Sequence, residues 1–262
     1  MNAGAYRIEE IQEHVTLIDD ATGSSAWLIT GETSALLVDT GWGDGDFAGI
    51  VRSLTGLPVR LFVTHAHIDH YRHVADFPQA AYMHRLDWEA LPEAKRMFDG
   101  NAPDPEQLIP VDEGFSFDLG GATATVYLAG GHTPGSAVIV VPEYRCVFTG
   151  DAFGSGVGVW MQVPMSLTLP GYRDSLADFL KKCAFTRDYR YCGGHYQQGA
   201  QNPLCYALVE DMHTLCCRLI DGDREGVSIQ PSDSNRFTPE QAYTGAFGRA
   251  SMEFLESKRN SH

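Results

Sequence analysis

Thr64-His65-Ala66-His67-Ile68-Asp69-His70 is the stretch on which the reading of this chain turns. It packs three imidazoles and a carboxylate into six residues, directly after the wholly apolar run Leu61-Phe62-Val63. Such a run fits a strand covered on both faces, so the ionisable groups emerge at its buried end. Imidazoles and carboxylates lose hydration when buried, and neighbouring imidazolium rings repel. A divalent cation relieves both costs, because it takes neutral imidazole nitrogen and ionised carboxylate as ligands. In an extended loop His65 and His67 point the same way, while Asp69 and His70 follow a bend. One pair can serve one cation and the next pair a neighbour.

Three later segments supply what four ligands cannot. Gly130-Gly131-His132-Thr133-Pro134-Gly135-Ser136, Thr149-Gly150-Asp151 and Cys192-Gly193-Gly194-His195 each set one His or Asp beside glycine at a predicted strand end. Glycine lets the backbone turn tightly and approach an ion. Each segment alone reads as a turn; together, in this order behind the first motif, they point to one shared site. The remaining histidines, His14, His73, His84, His213 and His262, read as ordinary surface or helix residues, with His73 close enough in sequence to support the site.

Working outward, period-2 patterning and turn residues predict strands at Val15–Ile18, Ala26–Ile29, Ala35–Val38 and Ala80–Met83. Hairpins are predicted from Phe115–Phe117 with Ala122–Leu128, and from Ala137–Val141 with Cys146–Phe148. Helical spacing marks about Asp46 to Leu54, a segment from near Arg173, and about Pro203 to Ile220. This order predicts two packed sheets with helices outside, a four-layer αββα sandwich of the α/β class built from two similar halves. One domain spans residues 1–262, with insertions or lids near 85–110 and 152–172 and a C-terminal helical extension from about 203.

The formal net charge of -15 and the lack of a basic stripe exclude nucleic acid as a partner. No basic leader precedes an apolar run, and no stretch approaches the roughly 20 apolar residues of a membrane span. A cytoplasmic protein acting on a small molecule, without membrane contact, is expected; a homodimer is compatible. Six cysteines lack any CxxC spacing, so reduced thiols are expected rather than a zinc ribbon or disulfide framework.

The motif set resembles the HxHxDH signature of the metallo-β-lactamase superfamily over roughly residues 15 to 200, and Asp39-Thr40-Gly41 matches a further recurring element there. The resemblance implies the αββα sandwich. It implies that His65, His67 and His132 bind a first metal, that Asp69, His70 and His195 bind a second, and that Asp151 bridges both. Two divalent ions are implied, zinc first, with manganese or iron(II) as alternatives. The implied chemistry is hydrolysis of a small ester-like substrate, a lactone, thioester or relative, by water activated between the metals. Asp69 would orient that water or relay a proton to the leaving group. An iron-dependent oxidoreductase of the sulfur dioxygenase type, or a phosphodiesterase, is the alternative. Asp151 argues against a β-lactamase, since two-zinc β-lactamases generally lack the bridging aspartate. Asp151-Ala152-Phe153-Gly154 also lacks the tyrosine that lactonases often carry there, and Tyr71-Arg72 stands where many relatives have small residues. Trp42, Phe153 and Trp160 are candidates for a substrate wall, and Tyr196 and Tyr71 for stabilising an oxyanion.

Overall fold

An eight-stranded sheet follows the sequence order: β1 (Asn2–Ala3), β2 (Tyr6–Gln12), β3 (Val15–Asp20), β4 (Ser25–Thr30), β5 (Ala35–Val38), β6 (Val59–Val63), β7 (Ala81–His84) and β8 (Leu108–Val111). The computed structural model describes residues 2–3, 6–98, 100–154 and 158–260. Pairing is antiparallel from β1 to β5 and parallel from β5 to β8. Parallel neighbours need crossovers, which contain α1 (Phe47–Leu54), the short α2 (Ile68–Tyr71) and α3 (Arg85–Met97).

The second sheet takes β9 (Ser116–Asp118), β10 (Thr123–Leu128), β11 (Ala137–Val141) and β12 (Cys146–Gly150) as an antiparallel run. The chain then makes β13 (Val159–Trp160) and α4 (Leu169–Lys182), and β14 (Arg190–Gly193) joins the second sheet parallel to β12. Beyond α5 (Tyr206–Asp221), β15 (Ser228–Ser232), β16 (Ala242–Phe247) and β17 (Ala250–Leu255) form an antiparallel meander whose free side takes β13 in parallel.

Strand alternation builds the layers. Leu17, Trp27, Leu36 and Phe62 of the first sheet meet Phe117, Val126, Ile139 and Phe148 of the second in the central core. Their neighbours Ile18, Leu28, Leu37 and Leu61 face the opposite way, onto Phe47, Val51 and Leu91 of α1 and α3. Val138, Val140 and Val147 turn outward onto Leu176, Phe179 and Met212 of α4 and α5. Each such side chain contributes roughly 1.5–3 kcal/mol by burial, and two apolar faces per sheet require four layers.

Several regions differ from expectation. The stretch near 85–110 is no lid: α3 and β8 form a crossover unit that extends the first sheet. Pro92 inside α3 hid the helix, since proline usually ends one. The helix expected from Arg173 begins at Leu169, capped by the Thr168 hydroxyl and carrying Pro170 in its first turn. The C-terminal extension is helical only through α5 and is then a sheet. Pro231 hid it, and β15 tolerates proline because it lies at a sheet edge. The two halves are unequal, with eight strands against five. His73 and His84 are buried rather than superficial: His73 bridges the Asp76 carboxylate and the Gly43 carbonyl, and His84 caps α3. His262 lies outside the described residues.

Candidate metal centre

All seven motif side chains follow strand ends at one edge of the sandwich. His65 and His67 leave β6, Asp69 and His70 sit on α2, and His132, Asp151 and His195 follow β10, β12 and β14, three strands running in one direction. Backbone hydrogen bonds staple these loops together: Ala137 donates to Thr64 at 3.0 Å and Ser25 to Gly194 at 2.7 Å across the two sheets, and Thr40 to His70 at 2.9 Å within the first. Two glycines permit the approach. Gly150 has φ +47, and a Cβ there would strike the Thr64 side chain; one on Gly194 would lie 2.6 Å from both Asp151 Oδ1 and His70 Cε1.

Ligand-type atoms fall into three overlapping clusters, each within 4.8 Å: His65 with His67 and His132, Asp69 with His70 and His195, and His65 with His70 and Asp151. Asp151 lies between the other two. Its Oδ2 is 3.4 Å from His195 Nε2, 3.7 Å from His70 Nε2 and 3.9 Å from His132 Nε2.

Outward hydrogen bonds settle which ring nitrogens face inward. His132 Nδ1 donates to the Trp160 carbonyl at 2.9 Å, and His195 Nδ1 to the Gly23 carbonyl at 2.9 Å. His70 Nδ1 donates to Asp39 Oδ2 at 2.8 Å. His65 Nδ1 donates to Thr64 Oγ1 at 3.1 Å, whose own proton goes to Asp39 Oδ2 at 2.8 Å. In a neutral ring, each Nε2 then presents a lone pair to the centre. The buried Nε2 atoms of His65 and His70 have no hydrogen-bond partner. His67 Nδ1 and His132 Nε2 face each other at 2.9 Å, close enough for one cation to hold both. Lone pairs aimed at a common point are what a cation requires, and four of the five rings turn a bonded donor outward, the outward Nε2 of His67 alone being buried without a partner, so this donor set fits a pair of divalent metals.

The charges divide the cluster in two. Burial, reinforced by the neighbouring rings, holds His65 and His67 well below the ordinary imidazole range, and burial also lowers His132. His70 and His195 are held well above it despite burial, by Asp69, Asp39 and Asp151 for the first and Asp151 and Asp69 for the second. Asp69 and Asp151 lie well below the usual carboxylate range despite burial, because His70 and His195 face them.

Two carboxylates position the site: Asp39, which the motif match marked without giving it a role, and Asp87, which no motif marked. Asp39, at φ 63, accepts from Thr64 N at 2.7 Å as well as from Thr64 Oγ1 and His70 Nδ1. Asp87, fully buried on α3, accepts from Ala66 N at 2.7 Å, Thr133 Oγ1 at 2.7 Å and Gly135 N at 2.5 Å, so it joins the His65–His67 loop to the His132 loop. Burial pushes its pKa up to about 6 against those three donors.

Asp87→Asn should cost about 2–3 kcal/mol, because an amide turns a donor toward backbone N–H groups. A melting temperature lower by roughly 5 °C at neutral pH is expected. Since the folded pKa lies above the unfolded value, this group's stabilising share is complete below about pH 4 and is lost as pH rises through about 6. The wild-type advantage should therefore narrow between pH 4 and 7; an advantage that widens would refute the assignment.

A cavity of about 400 Å³ opens over the cluster, lined by His67, Asp69, His132, Asp151 and His195 at its base and by Trp42, Phe98, Trp160 and Phe237 higher up. No Lys or Arg lines it among the described residues. Phe153 is not in it: the ring is 1% exposed and packs on Phe179 at 4.8 Å between centroids, because the turn after Asp151 directs it into the α4 core. Tyr196 lies behind His195, edge-on to Trp27 at 5.0 Å with its hydroxyl accepting from Arg190. Tyr71 is also withdrawn, its hydroxyl donating to the Asn101 carbonyl at 2.5 Å. Neither tyrosine is placed to stabilise an oxyanion.

The model of the metallo-beta-lactamase superfamily matches residues 19–195. The chain belongs to that superfamily. It is 30% identical over 133 residues to an atrochrysone carboxyl ACP thioesterase of Paecilomyces divaricatus, covering 49% of this chain and 39% of the relative. It is 27% identical over 163 residues to the hydroxyacylglutathione hydrolase of Ruegeria pomeroyi, covering 60% and 61%. The chain thus spans less than two thirds of the length of each of these curated relatives. Among solved structures, the metallo-beta-lactamase FIM-1 from Pseudomonas aeruginosa, in a mono-zinc form, superposes with a TM-score of 0.63 at 18% identity, covering 82% of this chain and 96% of that one. The fold is therefore the one expected from the motifs.

Proposed function

We propose that this chain is a metal-dependent hydrolase that holds two divalent cations, zinc first, and cleaves an uncharged ester-like acyl substrate such as a thioester or lactone. The observation that carries the reading is Asp151 Oδ2 set between two clusters of inward-facing ring nitrogens. His65, His67 and His132 would hold one cation, and Asp69, His70 and His195 the other, with Asp151 between them. Bound cations would supply Lewis-acid polarisation of the carbonyl and a water of lowered pKa.

The chain's own groups do the rest. Asp69 is partly exposed at the cavity base and lies 3.3 Å from His195 Nε2, where its carboxylate can accept a hydrogen bond from the attacking water and orient it. The apolar upper walls exclude water from the carbonyl. The absence of a lining cation among the described residues disfavours phosphodiesters and acidic acyl groups. The named activities of the two relatives, a thioesterase and an acylglutathione hydrolase, support the ester-like branch.

Metal analysis of the purified protein, coupled to a screen over thioesters, lactones, phosphodiesters and β-lactams, tests this. Two zinc or manganese ions per chain with thioester or lactone turnover are expected. One iron per chain with oxygen uptake would replace the reading with the dioxygenase-type alternative.

A further inference from the structure

The superfamily match ends at His195, yet the C-terminal meander beyond it reaches the cavity. Phe237, in the loop joining β15 to β16, lines the cavity and remains 41% exposed. Its backbone is fixed: Asn235 Oδ1 accepts from Phe237 N at 3.1 Å and Thr238 N at 3.3 Å, while Asn235 Nδ2 donates to Thr238 Oγ1 and the Glu240 carbonyl, both at 2.8 Å. An exposed ring on a pinned loop offers the cavity a fixed apolar face.

Trp160 is the second such ring, 46% exposed. The meander holds it as well, because Trp160 pairs with Glu253 of β17 and Met161 N donates to the Glu253 carbonyl at 2.7 Å. The Trp160 carbonyl is the acceptor that orients His132. The same strand therefore sets a metal-site histidine with its backbone and walls the cavity with its side chain. Trp42, 42% exposed, faces the cavity from another loop, its N–H fixed by Asp20 Oδ2 at 2.7 Å.

Three of the seven exposed large apolar side chains among the described residues thus line one cavity. Clustered exposed apolar surface marks a ligand site, and about 400 Å³ is a small-molecule volume. Rigid aromatic faces without a neighbouring cation favour a flat, uncharged ring system over a flexible chain or an anion.

We propose that Trp160 and Phe237, both placed by the C-terminal sheet, select a substrate whose scissile carbonyl carries a flat, uncharged ring system. This rests on the ester-like reading above, so the test separates the two. Calorimetric titration of metal-loaded protein with 2-naphthamide and hexanamide reads the wall without turnover. The naphthamide should bind about tenfold or more tightly, and Phe237→Ala and Trp160→Leu should each erase most of that preference with metal content unchanged. Phe237→Trp, which restores a flat ring, should keep it. In parallel, 2-naphthoyl and hexanoyl thioesters of N-acetylcysteamine are compared by kcat/KM, with the naphthoyl ester favoured. Equal binding of the two amides, or an unchanged preference in Phe237→Ala, overturns the wall even if both thioesters are hydrolysed. Preferential naphthamide binding without hydrolysis of either thioester sustains the wall and defeats the thioester branch of the hydrolase reading.

Discussion

Asp151→Asn is expected to leave a folded chain that binds one divalent cation instead of two and has lost at least about a thousandfold in kcat. Asp151 Oδ2 is the oxygen that faces His132 of one cluster and His70 and His195 of the other. An amide keeps the shape but replaces one charged oxygen with a donor, so it cannot sit between two cations. It also takes the leading counter-charge from His195 and one of three from His70, which Asp69 and Asp39 raise more strongly. Metal content by mass spectrometry, alongside a melting curve, checks the result. Two cations per chain and near-normal turnover in the variant would remove Asp151 from the centre.

Asp39→Asn should produce the second large loss without touching a metal ligand. Asparagine tolerates the left-handed backbone at φ 63, so the loop keeps its path. The hydrogen bonds cannot be kept. Thr64 Oγ1 and His70 Nδ1 both donate to Asp39 Oδ2, and Thr64 N donates to Oδ1. Whichever way the amide turns, an NH2 meets donors, leaving a buried group unsatisfied at about 1–3 kcal/mol. With the NH2 toward His70, the ring relieves the clash by moving its proton to Nε2, which removes the lone pair aimed at the centre; with the NH2 toward Thr64 N, the loop that carries His65 and His70 must shift. Affinity at the Asp69, His70 and His195 cluster should fall about 10–100-fold, read by titration against a chelating indicator, with excess metal restoring part of the activity. Unchanged affinity would mean that the Asp39 hydrogen bonds do not set the tautomer of His70.

The central strands were legible because burial on both faces leaves little choice of residue: Ala35–Val38 and Ala137–Val141 have the predicted bounds. The candidate ligands were legible because three imidazoles in six residues have few other uses. Asp87 was not, and Asp39 was visible only as part of the matched Asp39-Thr40-Gly41 turn, without its role. An aspartate in a turn or at a helix start is ordinary, and what distinguishes these two is partners 31 and 48 residues away. Phe153 misled through its closeness in sequence to Asp151, since the turn at Gly154 sends the ring to the far side of the sheet. Phe237 carried no signal at all: its loop has no periodicity, and long-range contacts such as the pairing of β13 with β17 and the Gln162–Ser234 hydrogen bond bring the meander to the cavity.

Anomalous diffraction at the zinc edge, from crystals grown with zinc, tests the central claim most directly. Two peaks per chain are predicted, one among the nitrogens of His65, His67 and His132 and the other among Asp69, His70 and His195, with the Asp151 carboxylate between them. No peak there, with these side chains turned apart, would contradict it.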